Sequence, residues 1–407
     1  MPDVSVLEVL LYGEKVATLT NVGGDRTLFA FTDDYVADDN RPLLGLGFKD
    51  SLGGLITEFK PTQTRLIPWF SNLLPEGHLR KYLAERANVK SEREFYMLWV
   101  LGQDLPGAIV VRPVDGEQLP PAAHERHGRE PEDRSNLMRF SLAGVQLKFS
   151  AIEDARKGMT IPVRGVGGDW IVKLPSRQFE LLPENEFSMM SLARDVGIDV
   201  PRIELIDVNG IEGLPEGVDK IGGQAFAIER FDRLSDGETV HIEDFAQIFG
   251  VYPADKYEKA SMRNIATVIG AEGRDSDIEE FIRRLVFNVL IGNADMHVKN
   301  WSFIYPDRRN AAIAPAYDFV STIHYLPDEY FALKFSKTKR FDEFTRDELA
   351  HMAGKARLPE KLVLDTAKET VAKFQEVWRS EKHNLPLTKK MIEDIDAHIG
   401  KVPIASE

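Results

Sequence analysis

Asn293-Ala294-Asp295-Met296-His297-Val298-Lys299-Asn300 is the stretch on which the reading of this chain turns. Upstream of it, Ile278, Phe281, Ile282, Leu285, Val286, Val289 and Leu290 recur at three- and four-residue spacing. Such an apolar stripe predicts a core-facing helix. Gly292 and Asn293 break that helix, and the loop that follows sets Asp295, His297, Lys299 and Asn300 close together. Trp301 to Tyr305 then returns to strand-like alternation with aromatic weight. A second apolar stretch, Ala311 to Tyr317, delivers Asp318.

An acid, an amide five positions later and a second acid at the end of a later strand form a phosphotransfer signature. In protein kinases the first carboxylate accepts the proton of the attacking hydroxyl. The amide and the second acid supply hard oxygen ligands to the magnesium ions that bridge the nucleotide phosphates. Alone, the Asp-to-Asn spacing is common, and the plain alternative is a polar loop in which Asp295 merely caps. The strand and Asp318 that follow favour the catalytic reading.

With 407 residues and 43% hydrophobic content, the chain can bury a large core in two or three domains. Its 51 basic and 65 acidic residues give a net charge of −14. That charge argues against a protein that grips nucleic acid through its own overall field. The absence of cysteine excludes disulfides, thiolate zinc sites and thiol catalysis, and fits a reducing compartment. Asp3 and Glu8 interrupt the apolar N-terminus, so no signal peptide is visible, and no apolar run reaches membrane-spanning length. The expectation is a cytoplasmic globular protein with no membrane partner.

Residues 4–12, 15–20 and 26–31 alternate in the manner of an antiparallel sheet. A helix over 75–86 follows, and Ser91-Glu92-Arg93-Glu94 has the pattern of a capping box opening a second helix through Leu101. With a strand over 108–112, residues 1–112 make a small α/β unit. It shows no chemistry of its own, although Asn72-Leu73-Leu74-Pro75-Glu76-Gly77 is a specific-looking turn. Residues 113–136, polar and rich in Pro and Gly, read as a linker or mobile loop. His124 and His127 have metal-ligand spacing there, but fit a solvated loop better.

Residues 137–233 form a sheet-rich lobe. Ser141 to Lys148 is a small-residue turn entering a strand, either a phosphate cradle or an ordinary hairpin turn. Lys173 sits inside the apolar strand Trp170–Leu174, where a lysine needs a partner or ligand, unless it guards a sheet edge. A helix over 183–194 places Glu184 and Glu186 in its first turn. They are within reach of a strand lysine, or simply favour the helix N-terminus. Strands over 203–208 and 224–229 end at the charged junction Glu229-Arg230-Phe231-Asp232-Arg233. Residues 234–407 are mostly helical, with helices predicted over 242–249, 278–291, 347–356, 359–378 and 388–399. The fold expected is α+β and bilobal, protein-kinase-like, with an extra N-terminal subdomain.

Taken in order, several stretches resemble the HipA family of serine/threonine-kinase toxins. They are Asn72–Glu76, Leu101–Ala108, Ser141–Lys148, Ile171–Pro175, Asn185-Glu186, Glu229–Arg233, Ile291–Asn300 and Pro315–Asp318. The resemblance implies that Asp295 is the catalytic base and that Asn300 and Asp318 bind Mg2+. It implies that Lys173 contacts the ATP phosphates with Glu186 as its ion-pair partner. Ala143, Gly144, Val145, Gln146, Leu147 and Lys148 would form the phosphate loop, and Glu229, Arg230 and Phe231 the hinge that holds adenine. His297, Val298, Lys299 and Tyr317 would line the nucleotide site, and Ser141 matches a self-phosphorylated serine whose modification displaces the loop. The implied substrate is an aminoacyl-tRNA synthetase of the glutamyl class. The implied partner is a HipB-like helix-turn-helix antitoxin that carries most of the DNA contact. Leu147 and Met296 depart from the family pattern, which has Glu and Gly there. Two other readings compete: a small-molecule phosphotransferase of the aminoglycoside or choline kinase type, and a non-catalytic nucleotide- or antitoxin-binding module.

Overall fold

The computed structural model describes residues 4–114, 116, 118–120, 123, 147–153, 159–162, 167–176, 178–214, 221–326 and 329–407. The first unit opens with the antiparallel strands β1 (Ser5–Leu11), β2 (Glu14–Asn21) and β3 (Arg26–Phe31). It continues through α1 (Asp33–Ala37), β4 (Thr62–Gln63), α2 (Pro68–Ser71), α3 (Gly77–Arg86), α4 (Glu94–Leu101) and β5 (Ile109–Pro113). Its sheet runs β4-β3-β2-β1-β5. Leu7, Val9 and Leu11 alternate onto its covered face, as the two-residue strand period requires.

The capping box predicted at Ser91–Glu94 does not form. Arg93 stands at the N-cap of α4 without a side-chain capping bond. The Glu94 carboxylate is instead buried and accepts hydrogen bonds from the Leu66 N–H and the Ser71 hydroxyl, both at 2.8 Å. A buried carboxylate must have its acceptor sites filled, and tertiary donors fill them here.

The second sheet comprises β6 (Lys148–Glu153), β7 (Met159–Thr160), β8 (Trp170–Lys173), β9 (Ile203–Asp207), β10 (Ile211–Glu212) and β11 (Gln224–Glu229), with α5 (Leu182–Val196) between β8 and β9. Its order is β10-β7-β6-β8-β11-β9. The two faces have different neighbours. Phe149, Val172, Ala225 and Ala227 belong to the core of the first unit, whereas Phe226 and Ile228 turn to α5 and the helical lobe. Strands β8, β9 and β11 therefore pack on both sides, while β6, β7 and β10 face the core of the first unit.

Buried charges complete the seam. The Arg230 guanidinium donates to Asp104 at 3.0 Å and to Asp232 at 2.9 and 3.0 Å, and Arg233 reaches the same two acids. The Asp232 carboxylate also accepts the Gly107 N–H at 2.7 Å. Pairing of this kind is what allows charges to stay buried.

The helical lobe follows, with β12 (His241–Asp244), α6 (Phe245–Ile248), α7 (Met262–Glu272), α8 (Asp275–Leu290), β13 (Ser302–Tyr305), β14 (Ala312–Ile313), α9 (Arg346–Ala356), α10 (Glu360–Glu381) and α11 (Lys389–Ile399). The helix expected over 242–249 divides in two: His241–Asp244 pairs with β13, and only Phe245–Ile248 coils, behind an Asp244–Gln247 capping box. Helix α7, capped by Ser261, was not anticipated from the sequence. The α8 stripe is buried as predicted, and Phe287 meets Phe374 of α10 edge-on at 5.7 Å. No described helix is long and apolar enough to cross a membrane.

Candidate active site

Helix α8 ends in a Schellman turn. The Asn293 N–H reaches the Asn288 carbonyl at 2.9 Å and the Gly292 N–H reaches that of Val289 at 3.2 Å. Gly292 has φ +66°, and a Cβ there would lie 2.5 Å from Ile323 Cγ2, so this corner requires glycine.

The loop it launches is tied down at each step. Asn293 Oδ1 accepts from the Asp295 N–H at 3.0 Å, Thr322 Oγ1 from the Ala294 N–H at 2.8 Å, and the Asp295 carbonyl from the Asn300 amide at 3.0 Å. Burial raises the Asp295 carboxyl above its ordinary value, and the hydrogen bond from Tyr257 opposes that rise. Tyr257 donates its hydroxyl to Asp295 Oδ1, the kind of contact an acceptor hydroxyl would make.

Asp318 lies beyond the two-residue strand β14 rather than at its end, with φ +59°. Non-glycine residues adopt that conformation at a cost of about 1–3 kcal/mol and mostly where a site demands it. Asn185 of α5 fixes this segment by exchanging two hydrogen bonds with the Ser321 backbone, at 2.9 and 3.0 Å.

From the sheet-rich lobe comes Lys173. Strand β8 lies between β6 and β11, so the edge-lysine alternative does not apply. Its ammonium is 2.6 Å from Glu186 and also pairs with Asp318. Burial would discharge this lysine, but the two carboxylates hold its pKa above the usual value. Burial would likewise raise Asp318, yet Lys173 and Lys148 hold it at about 2. Glu186, 2% exposed, is pushed up to about 7 by burial against the pull of Lys173.

Lys148 stands directly opposite Lys173 in the β6–β8 register. Desolvation lowers it to about 8, a shift that Asp318 opposes and Lys173 reinforces.

These groups open onto a cavity of about 1210 Å³, ample for a nucleotide. Of the sequence-predicted residues, Leu147, Lys148, Lys173, Glu186, Glu229, Arg230, Phe231, Asp295, His297, Lys299, Asn300, Tyr317 and Asp318 line it. Val298 does not; it is fully buried in the helical-lobe core, as is Met296. Ser141, Ala143, Gly144, Val145 and Gln146 lie outside the described residues. At the junction, the Arg230 side chain is spent on Asp104 and Asp232, and its N–H on the Asp169 carbonyl. Phe231 and Tyr317 stack with centroids 6.0 Å apart. Burial holds His297 neutral, its pKa near 3, and its Nδ1 has no partner among the described residues.

Asn300 uses its amide N–H on Asp295, which leaves its amide oxygen as the atom available to a cation. Among the described residues no group of three or more His, Cys, Asp or Glu could hold a metal. Two oxygen ligands alone nevertheless suit Mg2+, which takes most of its ligands from phosphates and water. Sequence reasoning assigned no role to Asn185, Glu76, Lys256 or Tyr257, all of which contact this site or its supports.

Residues 140–378 match the HipA-like C-terminal domain and residues 7–112 the HipA N-terminal domain. The chain is 55% identical to the putative kinase Y4dM of Sinorhizobium fredii over 410 residues, covering all of this chain and 99% of that protein. It is 27% identical to the serine/threonine-protein kinase toxin HipA of Shewanella oneidensis over 296 residues, 65% of each. The solved complex of HipA, HipB and operator DNA from Shewanella oneidensis contains a chain of the same fold, with TM-score 0.72 at 20% identity, covering 98% of this chain and 96% of that one. A two-domain match spanning the lysine, the loop and the N-terminal unit places the chain in the HipA family.

Proposed function

We propose that this protein is an ATP- and Mg2+-dependent serine/threonine protein kinase, the toxin of a HipA/HipB-type pair. The observation that carries the reading is the Lys173–Glu186–Asp318 ion cluster on the wall that also holds Asp295 and Asn300. Lys173 would hold the ATP phosphates. On nucleotide binding Asp318 would exchange its contact with Lys173 for the metal, with Asn300 as the second protein ligand. Bound Mg2+ would neutralise phosphate charge during transfer. Asp295 would take the proton of the acceptor hydroxyl, and burial, which raises its carboxyl, makes it a stronger base than an exposed aspartate. Phe231 and Tyr317 offer aromatic surface to the base of the nucleotide.

The names given to HipA of Shewanella oneidensis support the finer reading: it is a serine/threonine-protein kinase toxin, and a HipA of that organism was solved with HipB and operator DNA. On that footing the partner is a HipB-like antitoxin, with DNA contacted mainly through it. The substrate is an aminoacyl-tRNA synthetase of the glutamyl class, and Ser141 is the autophosphorylation site. Incubation with labelled ATP and a cell lysate tests this. Asp295→Asn should remove transfer by about 10²–10⁴-fold while leaving the fold intact. Label confined to small molecules would favour a small-molecule phosphotransferase, and an Asp295→Asn variant as active as the parent would remove the base from Asp295.

A further inference from the structure

The turn Asn72–Gly77, which the sequence singled out without giving it a role, reaches into the catalytic loop. Glu76 stands at the N-cap of α3, yet makes no capping bond. Its carboxylate instead lies between two ammonium groups of the helical lobe, 2.7 Å from Lys299 and 3.0 Å from Lys256. The Asn72 carbonyl accepts a second hydrogen bond from Lys299 at 3.2 Å, and the Asn72 amide anchors the turn to the Val251 carbonyl at 2.7 Å. Two of the three donors of Lys299 are thus fixed by the N-terminal unit, and Lys299 lines the cavity beside Asp295 and Asn300. The Tyr317 hydroxyl, bonded to the Lys299 carbonyl at 3.0 Å, fixes the backbone of the same residue.

We infer that Glu76 is a positioning residue of the phosphotransfer reaction, acting through Lys299. The inference rests on the kinase reading above. A lysine on a flexible four-carbon stem is a poor electrostatic stabiliser unless its head is held before the phosphoryl group moves. Glu76 and Asn72 hold it, so the N-terminal unit completes the catalytic loop rather than merely flanking it. Burial would raise the Glu76 carboxyl, but Lys299 and Lys256 bring it to about 2, so it stays ionised across the working pH range. The neighbouring Lys256 ties the same carboxylate to the segment that carries Tyr257 onto Asp295.

The test is a double-mutant cycle on the full chain, measuring transfer to protein acceptors and Mg·ATP affinity, with thermal melts as the folding control. The parent must transfer phosphate and Lys299→Met must slow it; if either fails, the kinase reading or the role of Lys299 is wrong. Given both, Glu76→Gln should lower kcat by about 10- to 100-fold with KM for ATP within about threefold, as misplacement of a catalytic group does. Glu76→Asp, which keeps the charge but shortens the reach, should fall between parent and Gln and guards against a Gln variant that does not fold. In the Lys299→Met background Glu76→Gln should cost far less activity than in the parent, because the part of its effect that runs through Lys299 is already lost. A Glu76→Gln protein that melts lower but turns over like the parent would make the contact purely structural. Losses that add in the double variant would also overturn the inference.

Discussion

Raising the pH from 7 to 9 should weaken nucleotide binding through Lys148. This lysine lies opposite Lys173 in the sheet, and Lys173 is already committed to Glu186 and Asp318. Lys148 has no ion pair among the described residues, and burial holds it at about 8. The charged groups acting on it are Asp318 and Glu186, which favour its ammonium form, and Lys173 and Lys299, which oppose it. If only the ammonium form holds phosphate, its population falls from about nine-tenths at pH 7 to about one-tenth at pH 9, so the Kd for Mg·ATP rises about tenfold. Binding should take up a proton across that window, which calorimetry in buffers of different ionisation enthalpy reads directly. Lys148→Arg stays charged and should flatten the profile at high affinity, and Lys148→Met should flatten it at low affinity. A parent as flat as the Arg variant, or a decline that persists in the Met variant, would refute the argument.

The same lysine has an opposite effect on stability. Its folded pKa lies below its unfolded value, so between about pH 8 and 10.5 the unfolded chain binds more protons and stability rises with pH. Below pH 8 the cost of burying the charge is fully present. Lys148→Met should therefore melt higher than the parent at pH 7 while binding nucleotide more weakly, the combination expected of a group kept for function.

Asp318→Ala should abolish the magnesium dependence of nucleotide affinity, and undiminished affinity in the presence of Mg2+ by calorimetry would remove its metal role. Asp104→Ala leaves the buried guanidinium of Arg230 and the partly buried one of Arg233 with Asp232 as their remaining acid in this cluster. Denaturant melts should show a loss of roughly 3 kcal/mol, the usual consequence of breaking a buried pair. Gly292→Ala meets both a positive φ and the Ile323 side chain. Strain of about 1–2 kcal/mol plus overpacking of about 1–3 kcal/mol should lower its melting temperature and disturb the loop.

What was legible in the sequence was local. Asp295 and Asn300 sit in one short loop, and their spacing, with the strand and Asp318 that follow, could be read as a phosphotransfer signature without knowledge of the fold. A lysine in an apolar strand needs a counter-charge, and the sequence offered Glu184 and Glu186 alike. The family resemblance singled out Glu186, which the helix, starting at Leu182, places beyond its first turn and against Lys173. Where two local patterns competed, the sequence could not arbitrate. His241–Asp244 became a strand because β13 supplies its ladder partners, and Ser91–Glu94 lost its capping box because Leu66 and Ser71 supply donors to Glu94. Arg230 was assigned to a hinge for adenine by the resemblance, but its guanidinium is taken up by Asp104 of the N-terminal unit and by Asp232. Glu76 is the limiting case. Its partners lie 180 and 223 positions along the chain, so no periodicity or spacing can reveal them. The sequence did carry a trace of them: a turn more specific than its place in a unit without chemistry required. A glutamate at a helix N-cap is a weak capping residue, and a position that tolerates it there is better understood by what its carboxylate reaches across the fold.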